Sequence, residues 1–239
     1  MGEQNRRLKI LNIKPPETKP ADTKPEESNE YWRIRGWFPK LSGVIEEKLR
    51  FFQKDLIHFN GKMNLISPRT ERTCDLIHIA DGIIGGEVVA KQLKATEIYD
   101  LGSGNGIPGL VFALTHPGIK VNLVEADGRK VEFLKLCVGR MSLSNCAVVH
   151  ARLEDLSPGV VKAAMSRGLA NVSKALLLAR RSASEGCQYF HFKGQGWSRE
   201  LADIPPQILS SWEPAGVEQY QLPENGPEMC IVLTVRNSQ

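Results

Sequence analysis

The sequence predicts an α/β protein in which helices cover both faces of a mostly parallel β-sheet and a group of helices precedes the sheet. Between about residues 41 and 95 the apolar residues recur with helical spacing. After residue 95, short apolar segments of strand length alternate with helical segments, which is typical of repeated βα units. We therefore divide the chain into an N-terminal extension over residues 1–40, a helical segment over residues 41–95 that packs on the core, and a ligand-binding core over residues 96–239.

The N-terminal extension is rich in proline, glutamate and lysine. It holds five of the 14 prolines, and residues 12–30 contain a near-repeat of Thr-Lys-Pro with few apolar residues. Such a composition predicts a mobile, extended segment. Tyr31, Trp32, Trp37 and Phe38 form an aromatic cluster that we expect to anchor the extension on the core, with stacking on nucleic-acid bases as the alternative.

Three helices are predicted between this extension and the sheet. The first runs from Ser42 and ends between residues 59 and 64, the second runs from near Thr70 through Ile79, and the third covers residues 88–93. Ser42 is a suitable N-cap for the first, because its hydroxyl can accept a hydrogen bond from a free backbone amide. The glycine pair at residues 85 and 86 predicts the break before the third.

The core is predicted to contain buried strands separated by helices. The strands are expected over residues 97–101, 120–125, 147–150, 163–166, 188–192 and 229–235, and the helices over residues 110–115, 131–141 and 172–184. In a parallel sheet of this kind, ligands bind beyond the carboxyl ends of the strands. Residues that directly follow a predicted strand are therefore the candidates for a binding site.

The strongest local signal is the glycine-rich turn after the first strand. Gly104, Gly106 and Gly109 have the GxGxxG spacing of a dinucleotide site, and Glu125 closes the next strand, where such sites place a ribose-binding carboxylate. Asp100 argues against this reading, because a pyrophosphate binds bare backbone amides without a neighbouring carboxylate. A nicotinamide dinucleotide is thus the less favoured of two candidate ligands.

The favoured ligand is S-adenosylmethionine, which carries a free ammonium group that Asp100 can bind. The additional glycine at Gly102 lets the backbone approach the methionyl part closely, and the Glu125 carboxylate can accept both ribose hydroxyls. Glu154, which follows the third strand, is a candidate for the adenine edge, although a solvated acid at a helix start explains it equally well. Arg167 ends the fourth strand at the rim of the same site.

Sequence motifs argue against two kinds of methyl acceptor. Enzymes that methylate exocyclic base amines usually carry an Asn/Asp-Pro-Pro-aromatic motif after the fourth strand, where this chain has residues 166–169, Ser-Arg-Gly-Leu. Carbon-5 methylation of pyrimidines needs a cysteine nucleophile, commonly beside a proline, and none of the five cysteines has a proline neighbour. Oxygens, small molecules and guanine N7 remain as acceptors that need no covalent help.

Charge and cysteine content indicate the partner and the compartment. The net charge is +4, but residues 1–40 hold nine basic and six acidic residues, so the rest of the chain is nearly neutral and an RNA partner requires a local patch. Arg129, Lys130 and Lys193 are candidate phosphate contacts, against solvated surface charges or, for Lys193, a strand-end turn. The scattered cysteines indicate free thiols in a reducing cytoplasm, and no apolar run approaches the roughly 18 residues that span a bilayer.

In order and spacing, several short motifs resemble the bacterial 16S ribosomal RNA guanine-N7 methyltransferase G family, also called glucose-inhibited division protein B. They occupy residues 59–65, 78–81, 100–109, 128–134, 152–154, 166–167 and 192–194, and the resemblance runs from about residue 45 to the C-terminus. It implies a Rossmann-like class I methyltransferase with a seven-stranded sheet and S-adenosylmethionine as cofactor. It also implies 16S ribosomal RNA or the small ribosomal subunit as partner of a monomeric, cytoplasmic protein.

The resemblance also implies which residues contact the cofactor. Carried over position by position, they are Gly102, Ile107, Leu153, Glu154 and Arg167. Guanine N7 is an unprotonated lone pair, so we expect no catalytic general base and no metal ion. Phe59, Ile77 and Gly82 stand where the family usually has tryptophan, arginine and serine. His78 and Asp81, three residues apart on a predicted helix, are expected to form a hydrogen-bonded pair.

Two other functions are compatible with these motifs. The nearly neutral body favours methylation of a small molecule as an alternative to RNA. A non-catalytic assembly factor that binds an adenosyl ligand would retain the glycine loop and lose turnover.

Overall fold

The protein forms a seven-stranded β-sheet with helices on both faces, as seen in a computed structural model that describes residues 31–238. The strands are β1 (Glu97–Leu101), β2 (Lys120–Glu125), β3 (Cys146–His150), β4 (Val161–Arg167), β5 (Ala183–Lys193), β6 (Trp212–Gln221) and β7 (Glu228–Arg236). Their order across the sheet is β3-β2-β1-β4-β5-β7-β6. The first five pair in parallel, and β7 runs antiparallel to both of its neighbours. This confirms the predicted mostly parallel α/β fold.

Eight α-helices surround this sheet in the described part of the chain. They are α1 (Ile34–Trp37), α2 (Gly43–Met63), α3 (Asp81–Gln92), α4 (Gly109–Thr115), α5 (Gly128–Arg140), α6 (Val172–Ala179), α7 (Trp197–Ala202) and α8 (Pro206–Leu209). A 3-10 helix (Pro68–Thr73) and a π-helix (Asp75–Ala80) connect α2 to α3, and a second 3-10 helix (Leu153–Asp155) follows β3. Side chains of β1 point to both faces of the sheet. Ile98 packs in a hydrophobic cluster with α2 to α5, and Leu101 packs in a second cluster with α6 and α8. Both faces of the sheet are therefore covered.

Three of the four N-terminal aromatic residues anchor the chain on the core, as predicted, whereas Tyr31 is 51% exposed. Ile34 is fully buried, and Trp32, Trp37 and Phe38 pack against the same hydrophobic cluster. The packed part of the chain thus begins before residue 41, and the predicted boundary of the extension at residue 40 lies too late. The segment over residues 12–30, predicted to be mobile, lies outside the described residues.

The first long helix begins where its cap predicts. The Ser42 hydroxyl accepts a hydrogen bond from the Ile45 amide at 3.2 Å, and α2 ends at Met63. The predicted break at Gly85 and Gly86 is wrong, because α3 continues through both residues. Gly85 is needed for close packing instead: a Cβ there would lie 2.3 Å from Cε1 of Phe192 in β5.

The sequence pattern does not predict strand β6, and helix α6 and strand β5 have other ends than predicted. β6 lies at the edge of the sheet, where Trp212 is its only buried residue and a register shift follows Pro214. It therefore lacks the alternation of apolar and polar residues that identifies a strand. Helix α6 ends at Ala179, and β5 begins at Ala183, so the helix predicted over residues 172–184 is too long.

Candidate functional site

A cavity of about 510 Å³ opens at the carboxyl edge of the sheet. Its wall is formed by residues that follow β1, β2, β3 and β4, as expected for a parallel sheet. Among the predicted site residues, those in the wall are Gly102, Gly104, Ile107, Glu125, Lys130, Leu153 and Arg167. Asp100, Arg129, Glu154 and Lys193 are not part of this wall. Leu65, Ser103 and Asn105 also lie in the wall, although the sequence indicated them only as parts of family motifs, and Leu169 lies there as part of the segment that follows the fourth strand.

The glycine loop presents its backbone to the cavity in a conformation that favours glycine. Gly102 and Gly104 have φ angles of 72° and 52°. The amides of Gly102 and Ser103 both donate to the carbonyl of Val124 in β2, at 2.9 and 3.0 Å. A Cβ at Gly102 would lie 2.7 Å from Cδ1 of Leu169, another residue of the cavity wall. The loop is therefore fixed to the sheet and has no room for a side chain at this point.

Glu125 holds the loop from the end of β2. Its Oε2 accepts from the Gly104 amide at 2.8 Å, and its Oε1 accepts from the amides of Ala126 and Asp127 at 2.8 and 2.9 Å. A carboxylate offers about four acceptor positions, so most of them are already used. Glu125 lies where a ribose would bind, but contact with both ribose hydroxyls stays a prediction and would require sharing these bonds.

Asp100 lies beneath the loop instead of in the cavity wall. It is 1% exposed, its Oδ2 accepts from the Gly109 amide at 3.0 Å, and its Oδ1 has no hydrogen-bond partner among the described residues. Burial raises the pKa of Asp100 to about 7. In this position the side chain fixes the start of α4, and the predicted direct contact with an ammonium group stays a prediction.

The raised pKa of Asp100 predicts a pH dependence of stability. An unfolded aspartate titrates near about 4, so the folded protein binds this proton more tightly. Its contribution to stability is complete below about pH 4 and is lost as the pH rises through about 7. Between these pH values the wild type should lose up to about 4 kcal/mol of unfolding free energy relative to Asp100→Asn. Urea unfolding of both proteins across this range measures it, and parallel profiles would contradict it.

Arg167 connects the cavity wall to the helices that precede the sheet. Its Nε lies 2.9 Å from Oδ2 of the buried Asp81, its Nη1 lies 3.1 Å from Nδ1 of His78, and its Nη2 donates to the Ile77 carbonyl at 2.7 Å. The hydroxyl of Tyr220 in β6 donates to the other oxygen of Asp81 at 2.8 Å. The expected direct pair of His78 and Asp81 is therefore wrong, since the guanidinium of Arg167 lies between them.

The hydrogen bonds of His78 define its tautomer. The Thr70 hydroxyl donates to the Ser67 carbonyl, so it accepts from Nε2–H of His78 at 2.9 Å. Nδ1 is then the acceptor that faces Arg167. Burial and the neighbouring guanidinium lower the pKa of His78 to about 3, so this imidazole is neutral near pH 7.

The predicted phosphate contacts are not equivalent. The ammonium of Lys193 lies 2.7 Å from Oε2 of Glu200 in α7 and donates to a backbone carbonyl, and its side chain is only 12% exposed. Lys193 is thus an internal cation, contrary to its assignment to an RNA-facing rim. Arg129 has a side chain that is 73% exposed, and the nearby Lys130 borders the cavity. Asp127 caps α5 by accepting hydrogen bonds from the backbone amides of Arg129 and Lys130. Its negative charge offsets the unfavourable interaction of these two cations with the helix dipole.

Glu154 is separated from the cavity by its own neighbour. Within the 3-10 helix after β3, Leu153 is buried against the cavity, while the side chain of Glu154 is exposed and borders another hollow beside α6. The expected contact of its side chain with an adenine edge is therefore not favoured by this geometry. Leu153 supplies an apolar surface in the same region.

The cavity fits S-adenosylmethionine. Its volume lies within the range of small-molecule sites, about 300 to 1,000 Å³. Gly102 and Gly104 present bare backbone to the cavity, and Ile107 and Leu153 supply apolar side chains. No group of three His, Cys, Asp or Glu residues that could hold a metal ion occurs within residues 31–238. Over the same residues, no helix is long and apolar enough to cross a bilayer.

The sheet order, the single antiparallel strand and the glycine loop after β1 define a Rossmann-like class I methyltransferase that uses S-adenosylmethionine. The chain belongs to the rRNA small subunit methyltransferase G family, GidB, whose sequence model matches residues 45–222. The motifs that resembled this family are thereby confirmed.

Individual proteins of this family are similar in sequence to the chain over most of its length. The chain is 40% identical over 205 residues to Ribosomal RNA small subunit methyltransferase G 3 of Bdellovibrio bacteriovorus, a match that covers 85% of this chain and 93% of that protein. It is 28% identical to Ribosomal RNA small subunit methyltransferase G of Bordetella avium, over 81% of this chain and 86% of that one. The crystal structure of a predicted O-methyltransferase from Agrobacterium tumefaciens has a TM-score of 0.53 and 16% identity, over 66% of this chain and 82% of that one, which shows the shared fold.

Proposed function

We propose that this protein transfers the methyl group of S-adenosylmethionine to N7 of a guanine in 16S ribosomal RNA. The observation that supports it most is the state of three ionisable side chains in the described cavity wall. His78 is neutral and bonded at both nitrogens, Arg167 is paired with Asp81, and Glu125 accepts three backbone amides. None of them is placed as a free general base, which suits an acceptor with an unprotonated lone pair.

The protein's contribution is then to position the two reactants. The cofactor, when bound, supplies a methyl group on a positively charged sulfur. The glycine loop and Glu125 form part of the cavity wall, and the side chain of Leu169 lies next to Gly102 in the same wall. Alignment of well-oriented groups can contribute about 7 to 11 kcal/mol. The guanine becomes positively charged on methylation, and the cavity tolerates this because His78 is neutral and Asp81 balances Arg167.

The target guanine is expected to be unpaired or extruded. In paired A-form RNA, N7 lies in a deep, narrow groove that side chains cannot enter. A base that enters the cavity must leave its stack, and unstacking costs a few kcal/mol, least where the base is already single-stranded. We therefore propose a loop or bulge of the 16S RNA, either free or within the small ribosomal subunit, as partner of a monomeric protein in the cytoplasm.

Arg129 is the proposed phosphate contact that can be tested separately from the cofactor. Its side chain is largely exposed beside the cavity, whereas Lys130 borders the cavity itself. Arg129→Glu is expected to weaken binding of 16S RNA fragments about tenfold at moderate salt, because it replaces a phosphate contact with a repulsive charge. Lys130→Glu should weaken binding of both RNA and cofactor.

Lys135→Glu is the matched control for Arg129→Glu. It makes the same charge reversal on the same helix, at a residue that pairs with Glu132. Filter binding of RNA and calorimetry with S-adenosylmethionine separate the effects. Equal RNA affinity of the Arg129 and Lys135 variants would remove Arg129 from the interface.

The substrate class is tested by incubating the protein with labelled S-adenosylmethionine and three acceptors. These are small ribosomal subunits, naked 16S RNA and a panel of small molecules. Label in the RNA is expected. Label in a small molecule alone would favour the alternative methyltransferase, and cofactor binding without any transfer would favour a non-catalytic assembly factor.

A further inference from the structure

Arg33, in the segment before α1, connects three parts of the molecule that are distant in sequence. Its Nε and Nη2 donate to the two carboxylate oxygens of Asp75 at 2.9 and 2.7 Å, and its backbone amide donates to Asp75 at 2.9 Å. Its Nη1 donates to Oε2 of Glu224 at 2.7 Å, in the connection between β6 and β7. The guanidinium also lies 4.7 Å from the ring centroid of Trp37. Arg33 is thus held in one geometry by a fork of hydrogen bonds.

Asp75 depends on this arginine. It is fully buried, and apart from Arg33 its carboxylate accepts only from the Leu76 amide, at 2.8 Å, among the contacts of the described residues. Hydrogen bonds to Asp75 in turn raise the pKa of Arg33. A buried carboxylate without its cation is strongly unfavourable, so loss of Arg33 would change the position of Asp75 and of the chain around it.

Asp75 begins the π-helix that holds Arg167. Two and three residues further on, the carbonyl of Ile77 and Nδ1 of His78 contact the Arg167 guanidinium in the cavity wall. A π-helix is an uncommon and locally less stable backbone form, often found at functional sites, and its register depends on contacts from outside. Arg33 contacts its first residue, and Arg167 contacts its third and fourth.

We propose that Arg33 is a positioning residue for the cofactor cavity, because it fixes the π-helix that orients Arg167. Arg33 lies outside residues 45–222, the part that matches the family model. The segment before α2 is therefore more than an anchor: it determines the geometry of the site. The proposal rests on binding of S-adenosylmethionine in this cavity and not on the identity of the methyl acceptor.

The test compares Arg33→Gln with Arg35→Gln in the full chain. Arg35 follows two residues later, in α1, and forms its own ion pair with Glu46 at 2.7 Å, so its loss removes a comparable surface charge without touching the π-helix. We expect the Kd for S-adenosylmethionine, measured by calorimetry, to rise about tenfold in Arg33→Gln and to change less than about twofold in Arg35→Gln.

A second readout uses the protein without cofactor. The guanidinium of Arg167 forms an ion pair with the buried Asp81, and hydrogen exchange at its Nε can be followed by NMR. Arg33→Gln should accelerate this exchange about tenfold, well below the temperature of unfolding. A purely structural role would lower the melting temperature and leave both the exchange and the Kd unchanged.

A conservative substitution at Arg33 is measured as well, in case Arg33→Gln does not fold. Arg33→Lys retains the charge beside Asp75 but cannot form the fork, and it should give a smaller change in the same direction. Unchanged Kd and unchanged Arg167 exchange in the folded variant would overturn the proposal. If the wild type binds S-adenosylmethionine but methylates no RNA, the proposed function is wrong. The role of Arg33 is still decided by the Kd and by the exchange at Arg167.

Discussion

Gly102→Ala is expected to raise the Kd for S-adenosylmethionine about a hundredfold, the largest effect on cofactor binding that we predict. Gly102 has a φ of 72° and lies in the cavity wall. Its new Cβ would be 2.7 Å from Leu169, so either Leu169 or the loop must move into the space of the cofactor. Calorimetric titration of the variant measures the loss.

Gly186→Ala is the matched control for this substitution. Gly186 has a φ of 69°, close to that of Gly102, but a Cβ there would meet no atom within 4 Å. It lies in the amino-terminal half of β5, away from the carboxyl edge where the cavity opens. Both variants should lose about 1 to 2 kcal/mol of stability from backbone strain. Only Gly102→Ala should lose cofactor affinity, and equal affinities in the two variants would refute the assignment of the loop.

Arg167→Met is expected to cost about 3 kcal/mol or more of unfolding free energy and to weaken cofactor binding at the same time. Asp81 is fully buried, and the substitution leaves its carboxylate without a cation. His78 and the Ile77 carbonyl lose a donor as well. Tyr220→Phe, which removes only the hydroxyl that donates to Asp81, should cost about 1 kcal/mol.

A double variant separates stability from binding at this position. Asp81→Asn added to Arg167→Met removes the unpaired charge and should recover part of the stability, because no buried carboxylate remains. It should not recover cofactor affinity, since the Arg167 side chain is still absent from the cavity wall. Urea unfolding and calorimetry on the same proteins provide both quantities. Recovery of affinity together with stability would show that Arg167 acts on the fold alone.

The parts of the fold that could be predicted are those with a local signal. β1 and β2 have the predicted ends, because each is a short apolar run bounded by a turn and buried on both faces. β6 has no such pattern, since it lies at the exposed edge of the sheet. The glycine pair in α3 was misread because a sequence does not show that Phe192 packs against Gly85.

In the site, too, the residues that could be predicted are those with a local sequence signal. Gly102, Glu125 and Arg167 could be predicted because each directly follows or ends a parallel strand, and such residues meet at one edge of the sheet. Lys193 also ends a strand, but it pairs with Glu200 in α7, a helix that the sequence pattern did not indicate. Contacts across the fold, such as Arg33 with Asp75 or Tyr220 with Asp81, leave no trace in local spacing.

Nucleoside analysis of the reacted RNA shows whether the protein methylates guanine N7 in 16S RNA. Small ribosomal subunits or 16S RNA without this modification are incubated with the protein and S-adenosylmethionine, digested to nucleosides and examined by mass spectrometry. The Gly102→Ala variant is the control, with S-adenosylmethionine supplied near the Kd of the wild type, so that a Kd about a hundredfold higher leaves the variant almost unoccupied. We predict 7-methylguanosine in amounts approaching one per RNA molecule with the wild type and almost none with the variant. A methyl group on another atom or another base, or on no nucleoside at all, would contradict the account.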